Sequence, residues 1–335
     1  MVVNEELKPC VSVITPCYNG EKKIGRLIQS VINQTYDNIE FIIVNDGSTD
    51  NSAEIIETYR KKIENRGYSF KYIYQQNKGL GGAINSGLKA FSGEYLCWPD
   101  ADDYLEPESV EHRVRFLIDH PEYAVVTSNA YVRKGDNLKD CHLLVKKSEN
   151  KNLQKNQFAL MLNGESIFCS GCHMVRVEAF LDVNPGREIY SARRGQNWQM
   201  LLPLYYKYKR YFLDEPLYNY IDYPDSMSKD SLTIESFFTR YEEHQTILKK
   251  TLEMIERIQQ VNLKEYYCFV DDKYAKLKMN TAIRFEDKRL FEKVFLEKKK
   301  SIGLDKRDYL MYFQSKYVLV NKVVYFVHFI RKKLR

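Results

Sequence analysis

No stretch of this chain reaches eighteen uninterrupted apolar residues, so nothing in it reads as a confident membrane span. The opening residues, Met1 to Lys8, are polar and carry Glu5 and Glu6, which argues against a secretory signal with an apolar core. Cysteine is sparse and odd in number, seven in 335 residues and scattered without small-scaffold density, so reduced thiols in a cytoplasmic protein are the simplest reading. Cys169 and Cys172 form a single C-x-x-C, but no second pair follows at zinc-site spacing, and buried thiols are the expectation. From Ile234 onward proline is absent and only Gly303 interrupts charged residues interleaved with Leu, Ile, Phe and Tyr, which predicts a helical C-terminal region. No internal repeat is present. The net charge of +6 suits an anionic substrate or membrane surface as well as nucleic acid, and does not choose among them.

What is present is an alternation of short apolar runs and amphipathic segments. Val11-Ser12-Val13-Ile14 reads as a strand ending at Thr15-Pro16. Ile24, Leu27, Ile28, Val31 and Ile32 share one helical face. Phe41 to Val44 is apolar on both faces, as a strand between helix layers must be. A helix through Ile55, Ile56, Tyr59 and Ile63, a strand near Tyr72 to Tyr74, a helix from about Ala83 to Ala90 and a strand at Tyr95 to Trp98 continue the pattern. Such alternation implies βαβ units and a mainly parallel central sheet with flanking helices. Lys134 to Lys155 is expected to be a long loop, and Tyr211 to Leu213 and Leu217 to Tyr220 two short strands.

Ligand sites in such sheets lie beyond the carboxyl ends of the strands, where three polar segments fall: Thr15 to Asn19, Asn45 to Asp50, and Asp100 to Asp103. Three carboxylates within four positions repel one another unless water or a cation neutralises them. A solvated helix-capping turn is one reading; a site for a hard divalent cation, Mn²⁺ or Mg²⁺, is the other, and the location behind an apolar strand favours it.

In order and spacing, Val13-Ile14-Thr15-Pro16-Cys17-Tyr18-Asn19, Asn45-Asp46-Gly47-Ser48-Thr49-Asp50 and Gly93-Glu94-Tyr95 leading to Asp100-Ala101-Asp102-Asp103 resemble the signatures of glycosyltransferase family 2, strongly over about residues 10 to 130 and more weakly over about 160 to 228. The resemblance implies a GT-A nucleotide-diphospho-sugar transferase fold over residues 1–230, with a donor half (about 10–130) and an acceptor half (about 131–230), followed by the helical region 231–335. It implies a UDP-sugar donor and transfer with inversion. It places Thr15, Pro16, Tyr18 and Asn19 at the donor, with Tyr18 stacked on the uracil and Asp46 accepting from its N3 group. Asp100 falls near the ribose and phosphates, and Asp102, with Asp100, becomes the metal-ligand set, with Asp103 as an auxiliary ligand. Asn77 to Ala83 corresponds to the loop opening the helix beside the donor, with Gly81 and Asn85 as donor-binding residues; Ile84 stands where many relatives carry arginine.

One departure matters more. Relatives carry Glu-Asp before a tryptophan, the aspartate acting as base; here Gln196-Asn197-Trp198 stands, and an amide has no useful basicity. Gln196, Asn197 and Trp198 are then acceptor-positioning residues, Glu188 is the leading substitute base and Asp103 the second. Gln196 to Leu204 also resembles a subset of bacterial capsule and O-antigen transferases, which implies a polyprenyl-diphosphate-linked or oligosaccharide acceptor and no nucleic-acid partner. Tyr317 to Arg335, apolar with a basic end, is a candidate helix for the inner face of the cytoplasmic membrane, for docking on the protein core, or for a partner chain. A sugar-nucleotide nucleotidyltransferase would want a glycine-rich, lysine-bearing loop after the first strand, which is missing; a non-catalytic UDP-binding scaffold is the other rival. The oligomeric state stays open.

Overall fold

The computed structural model describes residues 8–135, 137–146, 156–224 and 233–317. They fall into two compact units: one up to Pro224 that also takes in Glu253–Gln260, the other formed by the rest of the C-terminal region.

The first unit is built on a nine-stranded sheet. Strands β1 (Val11–Cys17), β2 (Ile39–Asp46), β3 (Ser69–Gln75) and β4 (Tyr95–Cys97) alternate with helices α1 (Ile24–Ile32), α2 (Ser52–Asn65) and α3 (Gly79–Ala90). They lie in the order β3-β2-β1-β4, every pairing parallel. Every residue of β1 and β2 is buried, because helices cover both faces, and Ile24, Leu27, Ile28 and Val31 of α1 enter the same core.

Beyond β4 the sheet becomes mixed. A short β5 (Tyr104–Leu105) and helix α4 (Ser109–Asp119) lead to β6 (Tyr123–Lys134) and β7 (Asn137–Leu143). Then come α5 (Gln157–Asn163), a 3₁₀ turn (Ser170–Cys172), β8 (His173–Arg176), α6 (Val177–Val183), α7 (Gln196–Lys207) and β9 (Lys209–Asp222). The order continues β4-β8-β6-β9-β5, with β6 parallel to β9 and the β4–β8, β6–β8 and β5–β9 pairs antiparallel.

Pairing with β6 overturns two local expectations. Part of the expected loop from Lys134 is β7, a polar edge strand recruited by antiparallel pairing with β6; residues 147–155 lie outside the described set. The two short strands expected at 211–220 are one, β9: shifts of register opposite Ser128, Asn129 and Ala130 absorb Asp214 to Pro216 without ending the ladder.

The Gly93-Glu94-Tyr95 signature sits at the opposite end of the strands from the acidic turn. A Cβ on Gly93 would lie 2.7 Å from Ser12 Oγ and 2.8 Å from the Cys10 carbonyl, so glycine is required there by packing.

The second unit is helical: α8 (Ile234–Gln259) as far as Leu252, α9 (Lys264–Arg284), α10 (Lys288–Ser301) and α11 (Lys306–Lys316). Met279, Ala282, Ile283, Phe291, Val294, Phe295 and Met311 form its core. No described helix is long and apolar enough to cross a membrane, and residues 318–335 of the expected terminal helix lie outside the described residues.

Candidate active site

The carboxyl ends of β1 and β2 are tied together. The Asn19 amide donates to Ser48 Oγ at 3.0 Å, and Asn19 Oδ1 accepts from the Thr49 amide at 2.9 Å. The Gly20 amide donates to Ser52 Oγ at 2.8 Å. Thr15 and Pro16 are interior residues of β1, so within this motif only Tyr18, 54% exposed, and Asn19 present side chains to solvent. The donor-side places expected for the Thr15 and Pro16 side chains are thus taken by the core. Asp46, almost fully buried, accepts from Gln75 Nε2 at 2.6 Å and from the Lys78 amide at 2.9 Å, both at Oδ1. Its Oδ2 takes no protein donor among the described residues. Gly47 has φ +73°, and a Cβ there would lie 2.7 Å from the Asn77 nitrogen, so the two loops close only around glycine.

The acidic turn divides its three carboxylates. Asp103 points inward, 1% exposed, with Oδ2 accepting from the Tyr218 hydroxyl at 2.9 Å and Oδ1 from the Ile221 amide at 2.8 Å. Burial, then the charges of Asp102 and Asp100, push it well above the ordinary carboxylate range. Expected as a second base and an auxiliary metal ligand, Asp103 has neither oxygen open to an acceptor; it fastens the turn to β9. Asp100 Oδ2 accepts from Ser170 Oγ at 2.5 Å, and its amide donates to the Tyr218 hydroxyl at 3.2 Å. Burial first, then Asp102, raises Asp100 to about 7 against the opposing pull of Ser170.

Asp102 points outward, its side chain 38% exposed, with Lys23 Nζ at 3.8 Å from Oδ2. Its carbonyl accepts from Arg26 Nη2 at 2.6 Å. The turn therefore offers two carboxylates whose charge the protein offsets only in part, and hard oxygen donors of this kind fit Mg²⁺ or Mn²⁺. Among the described residues, three carboxylates gather within 4.8 Å only at Asp272, Asp305 and Asp308 in the helical unit. There Lys298 lies 2.8 Å from Asp272 and 2.5 Å from Asp308, and Lys276 lies 2.7 Å from Asp272 and 2.5 Å from Asp305. Two lysines offset two of the three carboxylate charges, which makes the group an ion-pair cluster of the fold.

The C-x-x-C segment acts through the residues between its thiols. Ser170 holds Asp100, and a Cβ on Gly171 would overlap the Tyr218 ring. The Gly171 carbonyl accepts from buried Arg113 at 2.8 Å. Burial, then Cys172, pushes the Cys169 thiol well up.

On the acceptor side, residues expected to touch ligands hold one another instead. Asn197 Oδ1 accepts from Trp98 Nε1 at 2.8 Å and its Nδ2 donates to the Phe168 carbonyl at 2.6 Å, so its amide is spent on the scaffold. Gln196 and Trp198 are buried beside it, with Trp198 Nε1 donating to the Met161 carbonyl at 3.2 Å. Asn85 donates to the Ile189 carbonyl at 2.9 Å and accepts from the Ile189 amide at 2.8 Å, which removes it from the donor. Gly81 donates to the Ala192 carbonyl at 2.9 Å, and a Cβ on it would lie 2.7 Å from the Ala192 nitrogen, so its small size serves loop packing. Gln199 closes a third clasp on the Tyr190 amide and carbonyl, at 2.7 and 3.0 Å. The segment 188–192 is thus pinned by backbone-directed side chains from α3 and α7, and it presents Glu188 and Tyr190 to solvent. Ser170, Tyr218, Lys23 and Arg26 carry the site's geometry without a sequence signal: each acts through a partner 70 or more residues away in the chain.

The model of the family described as "Glycosyl transferase family 2" matches residues 12–183, just over half of the chain. The chain belongs to glycosyltransferase family 2. EpsH of Bacillus subtilis (strain 168), which is named a glycosyltransferase, is 44% identical over 117 residues, 35% of this chain and 33% of that protein. The match therefore spans about a third of that relative's length. Staphylococcus aureus TarS 1–349, solved in complex with UDP-GlcNAc, superposes with a TM-score of 0.54 over 89% of this chain and 93% of that one, at 20% identity. The mannosyltransferase PcManGT from Pyrobaculum calidifontis, solved with GDP-Man and Mn²⁺, superposes with a TM-score of 0.51 over 95% of this chain and 87% of that one, at 15% identity. These two neighbours share the GT-A fold with this chain.

Proposed function

We propose that this family 2 member moves a hexose or N-acetylhexosamine from a UDP-sugar to a sugar acceptor, with inversion at the anomeric carbon, in surface-polysaccharide assembly. The observation that carries the reading is the outward Asp102 on a turn locked by Tyr218 and Ser170, at the carboxyl ends of the parallel strands. Asp102 with Asp100 would hold Mn²⁺ or Mg²⁺, which when bound neutralises charge on the departing diphosphate. Tyr18 offers an exposed ring for the uracil, and Asp46 offers its unengaged oxygen to the base.

Asn197 is bound into the scaffold, so the acceptor proton needs another carboxylate. Glu188 is the assignment: it is exposed, and its backbone is held next to a triply clasped loop. The acceptor hydroxyl, relieved of its proton, attacks the anomeric carbon in line, and the loss of UDP requires no covalent enzyme intermediate. The TarS complex with UDP-GlcNAc supports the nucleotide, and the wider resemblance to capsule and O-antigen transferases supports a polyprenyl-diphosphate-linked acceptor at the inner face of the cytoplasmic membrane.

The test is UDP release from a panel of UDP-sugars with Mn²⁺ and a synthetic lipid-diphosphate sugar. Turnover that chelation abolishes and Asp102→Asn eliminates is expected; UDP binding without donor consumption would make the protein a scaffold. A Glu188→Gln variant with full activity would remove the proposed base.

A further inference from the structure

Helix α1 begins with a charge of the wrong sign for its own dipole. Lys23 occupies the position before Ile24, no acidic residue lies in the first turn, and no side chain caps the helix. A cation at a helix N-terminus is unfavourable, so the helix itself gives no reason for a lysine there. Its surroundings give one. Lys23 Nζ lies 3.8 Å from Asp102 Oδ2, too long for a hydrogen bond, and 3.9 Å from the centre of the Tyr223 ring.

We propose that Lys23 is the resident counter-ion of Asp102, exchanged for the divalent cation when the metal–nucleotide complex forms, and that Arg26 holds the turn in place during the exchange. The inference rests on Asp102 being a metal ligand. The pair is long where a permanent buried bridge is short: Lys298 and Asp308 meet at 2.5 Å. The Tyr223 ring attracts the ammonium without offering an oxygen that would bind it tightly, so the lysine has somewhere to rest once displaced. Arg26, three residues further along α1, takes no part in the carboxylate. It donates from Nη2 to the Asp102 carbonyl at 2.6 Å and to the Tyr223 hydroxyl at 3.1 Å. The backbone of Asp102 is therefore fixed independently of what its carboxylate pairs with.

The test is Mn²⁺ affinity of the full chain, read from the electron paramagnetic resonance of free Mn²⁺, for the wild type, Lys23→Met, Lys23→Gln, Lys23→Arg and Asp102→Asn. Removing one positive charge a few ångströms from a divalent ion is expected to tighten binding by about tenfold at low salt, in both neutral variants. The gain should shrink by about half or more at 0.5 M KCl. Lys23→Arg should stay within about twofold of the wild type, since it keeps the charge. If the wild type binds Mn²⁺, Asp102→Asn loses it, and neither neutral variant binds more tightly, the counter-ion role is overturned while the metal site stands. If the wild type and Asp102→Asn bind Mn²⁺ alike, the metal assignment itself falls and this inference with it.

Discussion

Tyr218→Phe is the sharpest test of how the acidic turn is held. The substitution keeps the ring, which packs against Gly171, and removes one hydroxyl that is fully buried. That hydroxyl donates to Asp103 Oδ2 at 2.9 Å and accepts from the Asp100 amide at 3.2 Å. Without it, a buried carboxyl oxygen and a backbone donor both lose their partners. Each bond contributes about 1 kcal/mol net, and leaving two buried groups unsatisfied brings the total to roughly 2–4 kcal/mol. Asp103 also loses a donor that favours its charged form, so its pKa should rise further. For a unit of this size each kcal/mol moves Tm by about 2–4 °C, and a loss of roughly 5–15 °C is expected by calorimetry. Where the turn relaxes instead of unfolding, part of the same energy appears in ligand affinity, and about 1.4 kcal/mol there is a tenfold weaker Kd for Mn²⁺·UDP by titration calorimetry. A variant with Tm within about 1 °C and Kd within about twofold of the wild type would refute the claim that Tyr218 organises the turn.

Further outcomes follow from charges in each unit. Asp100, raised to about 7, keeps its proton in the folded metal-free protein where the unfolded chain has lost it. Its contribution to stability is full below about pH 4 and is lost as pH rises through about 7, so metal-free Tm should fall over that window and Asp100→Asn should flatten the fall. Because a metal must displace that proton, Mn²⁺ affinity should weaken by up to about tenfold per pH unit below 7, and a pH-independent affinity would exclude Asp100 from the ligand set. In the helical unit, Lys298→Met leaves fully buried Asp308 without its cation, at an expected cost of about 3–5 kcal/mol. The double variant Lys298→Met with Asp308→Leu should recover most of it in a thermal melt, and an unchanged melt for the single variant would show that the cluster carries no stability.

Residue patterning alone makes legible the alternation of β1 to β4 with α1 to α3, the helical C-terminal region, and the convergence of Tyr18, Asp46 and the Asp100–Asp103 turn at one end of the sheet. Those features are local: they follow from runs of Val and Ile, from 3.6-residue periodicity, and from the rule that parallel strands open onto a common edge. The tertiary structure decided which residues of that edge are free to act. Asp103 and Asp102 are adjacent in sequence, yet one is buried against Tyr218 and Ile221 and the other faces solvent beside Lys23. Asn85, Asn197 and Gly81 carry family motifs but spend their polar groups or small size on a loop about a hundred residues away, or on Trp98 and Phe168. Continuous β9 and polar β7 were likewise invisible, since each exists through its pairing with β6. Residue type and spacing specify what a side chain is able to do; only its buried partners, brought in from distant segments, decide whether it remains available to do it.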